Sequence, residues 1–537
     1  MKNINKNVSI FCALTASLAS SQAQVRQDRP NIICIVTEDI SPYLGCYGDA
    51  VAKTPNLDRF AQSAIRYTNM HTTVGVSSPS RFALITGMYP SALGGNFMRN
   101  QSAPQYLPEG IRSYEVVLPE GIRAYTEYMR EAGYYCTNNS KTDYQFNANV
   151  AHWDENSNKA TWKNCPDSMP FLSIHNIMTT HESQIWMRKD SLEIQPEDID
   201  MTRFPYLPDD SVIRRDLARM YTNIAIMDRE TQVLLDDLEA SGLADNTIVI
   251  WYSDNGGPIP RGKRSIYNTG TNVPFMVRFP DGYRKGEVDN RLGLFMDIPA
   301  TILSLAGIQP PEYMHGKAFL GQYAQPERDY IYGARDRFDE VIDKCGFIQD
   351  HRYQYIRNYM PQIAGYLNNS FRLSMPMMKR MLDMYEAGQL NTQQRLWFKA
   401  PRPVEELYDL QNDPYELDNL ADNPAYQQEM NRLRTQYDAW DKTTNANWHR
   451  SEKEWMEIHW PGGVQPIVAT PSVSKTEDGL AAVCTTPGST ICYKKDTTGQ
   501  NWLIYTGPIK DLKKDDVVQI LATRAGYKTS EIMTTVQ

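Results

Sequence analysis

Two short apolar runs lie far apart in the chain, and each leads into a pair of polar, oxygen-bearing residues. Residues 31–36 read Asn-Ile-Ile-Cys-Ile-Val and precede Glu38-Asp39, and residues 247–253 precede Asp254-Asn255. Such runs are typical of strands that are covered on both faces, as in parallel α/β sheets. Ligands of these sheets gather at the carboxyl ends of the strands, so the two polar pairs are predicted to share one site.

Helical patterns alternate with these runs. A short helical segment is predicted over residues 57–64, and a long amphipathic helix over residues 214–240 leads directly into the second run. The apolar positions of the long helix recur at helical spacing: Leu217, Tyr221, Ile224, Leu234 and Leu238. This alternation predicts a doubly wound α/β domain over residues 29–344.

The pattern changes from about residue 345, and a chain of 537 residues is expected to hold more than one domain. Residues 345–460 mix strand patterns with a helix at 375–386, which predicts a smaller α+β subdomain. Residues 455–466 are aromatic, contain Pro and Gly, and are interpreted as a linker. Residues 466–537 are rich in Thr, Val and turn residues, which predicts an appended β-sandwich.

The first residues have the pattern of a secretory signal peptide. Lys2 and Lys6 precede an apolar run at 8–19, and small residues suited to cleavage follow up to Ala23. The run is too short to span a bilayer. We therefore predict a signal peptide over residues 1–23, no membrane span, and a secreted protein located in the periplasm.

Charge and cysteine content restrict the function further. The formal net charge of −9 argues against a nucleic-acid partner, although a few focused cations can still bind an anionic substrate. Seven cysteines remain after residue 23, without Cys/His metal spacing. Cys484 and Cys492 flank a Pro-Gly turn, and the sequence leaves a local disulfide between them open.

One segment carries the chemistry. Residues 77–87 read Ser-Ser-Pro-Ser-Arg-Phe-Ala-Leu-Ile-Thr-Gly. By itself this is a Pro-started helix. It resembles, however, the signature of formylglycine-dependent type I sulfatases of the alkaline phosphatase superfamily: Cys or Ser, any residue, Pro-Ser-Arg, three residues, an aliphatic residue and Thr-Gly. The resemblance implies an α/β sulfatase with a doubly wound mixed sheet.

The resemblance also implies that Ser77 is oxidised to formylglycine by a serine-type maturing enzyme. The hydrated aldehyde has two hydroxyls, of which one attacks sulfur and the other expels sulfate when the aldehyde re-forms. At a helix N-terminus, backbone N–H groups favour the sulfate oxygens. Arg81, one turn further on, would hold the hydrate and balance charge.

A metal ion is implied by the same resemblance, because sulfate is a poor electrophile until its oxygens are polarised. Glu38, Asp39, Asp254 and Asn255 match the two metal-binding clusters of the family and, with the oxidised Ser77, suit Ca²⁺ or else Mg²⁺. The first pair is usually Asp-Asp in the family, so Glu38 is a departure.

Further groups are implied around the sulfate. Lys141 and Lys263 match lysines that clamp sulfate, and His181 matches the acid that protonates the leaving oxygen. His175 is a rival, but its place within a predicted strand favours a structural role. Many relatives carry His two positions after the first lysine, whereas this chain has Asp143, which could orient Lys141 or Arg81.

Substrate preference is less constrained. Residues 38–48, 138–144 and 335–337 resemble bacterial sulfatases grouped with heparan N-sulfatases, which implies N-sulfoglucosamine; O-sulfated galactose or N-acetylgalactosamine is the alternative. Specificity is expected from residues 181–206 and 335–339. Arg335 and Arg337 could bind a uronate or a second sulfate, or be structural, and Arg264 could contact sulfate or be a surface charge.

Two readings from other classes stay open at this stage. One is a phosphohydrolase of the same superfamily, with an unmodified Ser77 and two zinc ions. The other is a non-catalytic glycan-binding protein whose Ser77 is never oxidised.

Overall fold

A computed structural model describes residues 29–101, 104–495 and 501–536. The predicted signal peptide, residues 1–23, lies outside the described residues. Within the described ranges, no helix is both long enough and apolar enough to cross a membrane.

An eight-stranded mixed sheet forms the centre of the first domain. Its strands are β1 (Asn31–Thr37), β2 (Ile65–His71), β3 (Tyr135–Asn139), β4 (Glu155–Asn156), β5 (Phe171–Ile177), β6 (Thr247–Ser253), β7 (Asn272–Arg278) and β8 (Val288–Leu294). They are ordered β4-β3-β5-β1-β6-β7-β2-β8. Neighbours pair in parallel except at β7, which is antiparallel to both β6 and β2.

Alternate residues of β1 enter two separate cores, which explains the unbroken apolar run in the sequence. Ile32, Cys34 and Val36 pack into one core, and Ile33 and Ile35 pack into the other. Helices cover both faces: α1 (Pro55–Ala61), α2 (Ser77–Thr86), α3 (Tyr125–Glu131), α4 (Gln184–Met187), α5 (Ser211–Ala240), α6 (Asn268–Thr271) and α7 (Asp297–Leu305). The predicted doubly wound arrangement is therefore confirmed.

The predicted elements differ from the observed ones mainly at their ends. The long helix was expected over residues 214–240 and begins three residues earlier, because Asp210 caps it by accepting the backbone N–H of Val212 at 2.9 Å. The short helix expected at 57–64 is observed as α1, which begins two residues earlier, with Pro55 at its first position, and ends at Ala61.

A second, antiparallel sheet follows, with the order β12-β11-β10-β9. Its strands are β9 (Ile331–Arg335), β10 (Cys345–Gln349), β11 (Tyr353–Asn358) and β12 (Glu405–Asp409), and its helices are α8 (Pro376–Glu386), α9 (Thr392–Leu396), α10 (Gln427–Thr443) and α11 (Glu452–His459). The boundary expected at residue 345 falls inside this sheet, because β9 pairs with β10 along its whole length.

The linker expected at residues 455–466 is wrong over its first part. Residues up to His459 are helical in α11, whose start has a capping box between Ser451 and Glu454. Trp455 and His459 are buried and stack on each other with ring centroids 5.3 Å apart. The aromatic residues that suggested a linker are thus part of the packed domain.

The C-terminal residues form a small all-β unit. A two-stranded sheet, β13 (Ser472–Thr476) and β14 (Gly479–Val483), lies beside a four-stranded sheet of β15 (Thr490–Lys494), β16 (Leu503–Ile504), β17 (Val517–Thr523) and β18 (Met533–Val536). Leu480, Val518 and Ile520 belong to their common core. The unit packs against the catalytic region, where Arg524 Nη2 donates to the Leu118 carbonyl at 2.7 Å. Cys484 and Cys492 are both free thiols, so the disulfide left open by the sequence is absent.

Candidate active site

Adjacent parallel strands bring the two polar pairs together. Strands β1 and β6 run in register, with Thr37 opposite Ser253, so the residues that follow them emerge side by side. Asp39 N–H donates to Asp254 Oδ1 at 3.2 Å. Asn255 Nδ2 donates to Asp39 Oδ1 at 2.8 Å. Both pairs, Glu38-Asp39 and Asp254-Asn255, are fully buried.

Ser77 begins helix α2 and points into this cluster. Its Oγ donates to Asn255 Oδ1 at 3.0 Å, and the residue is 1% exposed. Ser80 fixes the start of the helix, because its Oγ donates to the Asp254 carbonyl at 2.5 Å. The hydroxyl of Ser77 therefore sits where the carboxyl ends of β1 and β6 meet a helix N-terminus.

Arg81 links three strands from the same helix. Its Nη2 lies 2.7 Å from Glu38 Oε1, and its Nε lies 3.0 Å from Asp254 Oδ2. Its Nη1 donates to Asn176 Oδ1, at the end of β5, at 2.7 Å. Asn176 was not singled out in the sequence, where an Asn inside a strand gives no signal.

Lys141 follows β3 and binds the outer side of the carboxylate cluster. Its Nζ is 2.5 Å from Glu38 Oε2 and 3.5 Å from Asp143 Oδ2. Burial opposes ionisation of Glu38, but Lys141 and Arg81 outweigh it and lower its pKa to about 2. Asp143 thus lies beside Lys141, in a position to orient it.

Lys263 and Arg264 flank a carboxylate that the sequence did not reveal. Lys263 Nζ is 2.7 Å from Asp39 Oδ2 and 3.2 Å from Glu182 Oε1. Arg264 Nη1 is 2.7 Å from Glu182 Oε2. Arg264 is fully buried, so the surface-charge alternative for it is wrong. The only sequence signal for Glu182 was its place directly after His181.

His181 is partly buried at the edge of this network. Its Nδ1 lies 2.9 Å from Ser183 Oγ. One of its ring nitrogens also lies within 4.8 Å of carboxylate oxygens of Asp39 and Glu182. Burial, followed by the positive charge of Lys263, lowers the pKa of His181 to about 3. The ring is therefore neutral in the free site.

His175 has the structural role expected for it. It is buried within β5, its Nε2 lies 2.9 Å from Ser173 Oγ, and its ring meets Trp162 edge-on at 4.8 Å.

The donor set fits a hard divalent cation. Carboxylate oxygens of Glu38, Asp39 and Asp254 lie within 4.8 Å of one another, and Asn255 Oδ1 and Ser77 Oγ lie beside them. Oxygen ligands of this kind suit Ca²⁺ or Mg²⁺. Burial and the nearby Asp254 and Glu38 raise the pKa of Asp39 to about 6 despite Lys263. A bound cation would relieve this crowding of negative charge.

Arg335 and Arg337 are not placed to meet a substrate. Arg335 is buried, pairs with Asp343 and donates to the Arg264 carbonyl at 2.9 Å. Arg337 is fully buried, and its Nε and Nη2 bind the two oxygens of Glu452 at 2.5 and 2.7 Å. The binding role considered for these two arginines is therefore not supported, because both are consumed by internal ion pairs.

Comparison with known proteins agrees with this arrangement. Residues 30–308 match the Sulfatase family, and residues 261–367 match the family described as N-sulphoglucosamine sulphohydrolase, C-terminal. The chain is 39% identical over 543 residues to an ulvan-active sulfatase of Formosa agariphila, covering 94% of this chain and 91% of that protein. It is 26% identical to the human N-sulphoglucosamine sulphohydrolase, covering 81% of this chain and 94% of that protein.

Solved structures show the same fold. A 2-O GAG sulfatase, BT1596, superposes with a TM-score of 0.57 at 19% identity, covering 78% of this chain and 94% of that one. Three observations agree. The signature helix begins at Ser77, an oxygen-rich cluster lies at the strand ends, and the family match covers more than half of the chain. The chain belongs to the sulfatase family, whose members hydrolyse sulfuric esters.

Proposed function

We propose that this protein removes sulfate groups from a sulfated polysaccharide, using formylglycine made from Ser77 and one bound Ca²⁺. The contact between Ser77 Oγ and Asn255 Oδ1 carries the proposal, because it sets the residue to be oxidised directly against the predicted metal ligands. Glu38, Asp39, Asp254 and Asn255, with the oxidised Ser77, would hold the ion.

Each group would supply a distinct part of the chemistry. The metal ion would polarise the sulfate oxygens. The hydrated aldehyde would supply one hydroxyl for attack on sulfur and a second whose proton loss releases sulfate and restores the aldehyde. Oxidation of Ser77 removes two hydrogens and needs an external oxidising system, which we assign to a serine-type sulfatase-maturing enzyme.

The chain's own cations would hold the substrate. Lys141 and Lys263 are already paired with Glu38 and Asp39, so each is oriented before sulfate arrives and loses little side-chain freedom. Arg81, fixed by three partners, would hold the hydrated aldehyde. Preorganised charges in a buried site stabilise the transition state more strongly than mobile ones.

His181 would donate a proton to the leaving oxygen. Its Nδ1 is engaged with Ser183, which leaves Nε2 for the substrate. Burial and the positive charge of Lys263 lower the pKa of His181 in the free site. A bound anion would offset that positive charge and favour the protonated ring when the acid is needed.

The relatives suggest which polysaccharide to test first. The relative that covers 94% of this chain is an ulvan-active sulfatase, which favours ulvan. N-Sulfoglucosamine is the second candidate, because residues 261–367 match the C-terminal family of the N-sulphoglucosamine sulphohydrolases. O-sulfated galactose and N-acetylgalactosamine complete the set expected from the sequence.

The other two classes are less well supported. Among the described residues, His181 is the only histidine in a group able to hold a metal, whereas a two-zinc phosphohydrolase needs more nitrogen ligands. A non-catalytic glycan-binding protein would not require the buried pairing of Arg81 with Glu38 and Asp254. Such a cluster is costly to bury, and its place beside Ser77 at the strand ends favours a catalytic role.

The signal pattern supports export to the periplasm, and we infer that the mixed sheet, the second sheet and the C-terminal β-unit act together as one exported enzyme. The test is sulfate release from ulvan, N-sulfoglucosamine and O-sulfated sugars by protein co-expressed with a serine-type maturing enzyme. Release by the parent protein and none by Ser77→Ala supports the proposal; equal release by both contradicts it.

A further inference from the structure

Three chain segments, residues 98–99, 337–339 and 369–371, meet beside the catalytic network and hold the side chain of Arg99 in place. Met98 N–H donates to the Arg337 carbonyl at 2.9 Å, which joins the first segment to the second. Asn369 Nδ2 donates to Asp339 Oδ2 at 2.7 Å, which joins the second to the third. Arg99 follows Met98, and its Nε lies 3.0 Å from Asp339 Oδ1.

Two aromatic rings, Phe371 and Tyr106, lie beside this arginine, and a third, that of Trp186, packs against Phe371. The Arg99 guanidinium lies over the Phe371 ring, 4.4 Å from its centroid. Trp186 of helix α4 meets Phe371 edge-on, with centroids 5.5 Å apart. Both rings are partly exposed, and α4 begins three residues after His181. Trp186, five residues after the predicted acid His181, and Phe371 thus form a pair of adjacent, partly exposed rings, which we call the aromatic wall.

A buried arginine connects this wall to the active site. Arg264 Nη1 binds Glu182 at 2.7 Å, and its Nη2 lies 3.7 Å from Asp339 Oδ2. Its guanidinium also lies 5.9 Å from the Phe371 centroid. Because Glu182 also contacts Lys263, the wall and the predicted sulfate clamp are parts of one rigid network.

Backbone strain is concentrated at the same place. Arg99, Arg264 and Asp339 all have positive φ, at 60°, 71° and 52°. Residues other than glycine rarely adopt this region; each costs of order 1–3 kcal/mol and persists only where the surroundings impose it. Asp339 contacts both Arg99 and Arg264, so three strained residues adjoin here, and strained residues of this kind cluster at functional sites.

Arg99 keeps part of its guanidinium available. Its side chain is 23% exposed, its closest approach to Asp339 is through Nε, and its Nη atoms donate no hydrogen bond to any residue that the structure describes. Two parallel N–H groups match the oxygens of a carboxylate or a sulfate. A partly exposed indole offers a flat apolar face of the kind that lines ligand sites.

We propose that Arg99, Trp186 and Phe371 form a subsite for an acidic sugar next to the sugar that loses its sulfate. Trp186 stacks on the sugar ring, Phe371 supports Arg99 and Trp186, and Arg99 binds the carboxylate or sulfate of that neighbouring sugar. This inference rests on the proposed function, and it assigns to Arg99 the role that the sequence suggested for Arg335 and Arg337.

The test compares Arg99→Ala and Trp186→Ala with the parent protein on two kinds of substrate. The first kind is oligosaccharides of ulvan and of heparan sulfate, and the second is 4-nitrophenyl sulfate, which has no neighbouring sugar. The expected result is a fall in kcat/KM on the oligosaccharides of about 10–100-fold, mainly through KM, with unchanged turnover of the aryl sulfate. An equal loss on both kinds, or no loss on either, overturns the subsite.

Arg352→Ala is the matched control. Arg352 also pairs with an aspartate, Asp409, at 2.7 Å and lies over a ring, that of Tyr353, at 4.9 Å, but it belongs to the second sheet. We expect it to leave both activities unchanged. Melting temperatures of all variants, and Arg99→Lys, which keeps the charge without the two-pronged geometry, separate loss of binding from loss of fold.

Calorimetry separates this subsite from the proposed reaction. The affinity of the same oligosaccharides is measured for Ser77→Ala and for the double variant Ser77→Ala/Arg99→Ala. Weaker binding by the double variant supports the subsite even if the parent protein releases no sulfate, and equal binding overturns it. The same comparison is then made with oligosaccharides whose carboxyl groups are reduced and with oligosaccharides that lack the second sulfate. Arg99 binds the anion whose removal abolishes the difference in affinity between the two variants.

Discussion

Ser77 Oγ donates a hydrogen bond to Asn255 Oδ1 at 3.0 Å, although 178 positions separate the two residues in the chain. The same Asn255 donates through Nδ2 to Asp39 Oδ1 at 2.8 Å. One side-chain amide therefore sets the relative positions of the residue to be oxidised and a predicted metal ligand. The contact joins the start of α2 to the ends of β1 and β6.

Asn255→Ala tests this link. It removes a predicted ligand oxygen and the donor to Asp39, so we expect sulfate release to fall at least about 100-fold, while the far-UV circular dichroism stays that of the parent. Asn431→Ala, at an exposed position of helix α10, is the control and should retain full activity. Parent-like activity of Asn255→Ala would contradict the assigned role.

Removal of metal should lower both stability and activity. Glu38, Asp39 and Asp254 crowd negative charge in a fully buried site, and a bound cation offsets it. We expect chelation to lower the melting temperature and Ca²⁺ to restore it, since a ligand at 100 times its Kd stabilises the folded state by about 2.7 kcal/mol. In Asp39→Asn the response should shrink. A melting temperature that is insensitive to chelator and to Ca²⁺ would refute the metal site.

The Arg337–Glu452 pair should act on stability alone. Arg337→Ala leaves the Glu452 carboxylate buried without its partner, which costs about 3–5 kcal/mol in comparable cases. We expect a lower midpoint of urea unfolding and an unchanged KM for the sulfated oligosaccharides. The double variant Arg337→Met/Glu452→Gln should recover much of the loss. A raised KM at unchanged stability would return Arg337 to the substrate site.

Glu416 should make stability depend on pH. Burial raises its pKa to about 8, although Arg261 and the N–H of Asn268, which the carboxylate accepts at 2.7 Å, oppose this. The folded state therefore holds the proton more tightly than the unfolded state. The free energy of unfolding therefore falls as pH rises from 4.5 to about 8, by at most about 1.4 kcal/mol per pH unit, and no longer changes with this group above that range.

Glu416→Gln removes this pH dependence. We expect its melting temperature to rise relative to the parent as pH increases from 5 to 8, with little difference at the acid end of this range. Glu477→Gln, at an exposed position, should follow the parent at every pH. A constant offset between Glu416→Gln and the parent would show that the ionisation of Glu416 is not the cause.

The parts of the site that lie at strand ends and at the helix start could be predicted from the sequence. Local pattern placed Glu38-Asp39 and Asp254-Asn255 after apolar runs, and parallel pairing then brought them together. Ser77 and Arg81 came from a motif with fixed spacing along one helix. Each of these positions is set by a single strand or helix, and the residue pattern of a single strand or helix can be recognised in the sequence.

Residues that act through distant contacts left no such trace. Glu182 bridges Lys263 and Arg264, and Arg99 meets Asp339 only because Met98 pairs with the chain near Phe338. Arg335 and Arg337 resembled ligands because burial and ion pairing cannot be seen in a local pattern. The start of the predicted linker was wrong for a similar reason, because an aromatic segment suits a packed helix as well as a connection.

The proposed chemistry depends on oxidation of Ser77, so the decisive measurement compares the extent of that oxidation with the amount of sulfate released. The protein is co-expressed with a serine-type maturing enzyme, the peptide that contains Ser77 is weighed by mass spectrometry, and sulfate released from ulvan and from N-sulfoglucosamine is measured in the same preparation. We expect a peptide that lacks two hydrogens, sulfate release in proportion to the oxidised fraction, and none from Ser77→Ala. Sulfate release that is independent of that fraction, or that persists in Ser77→Ala, would contradict the proposed chemistry.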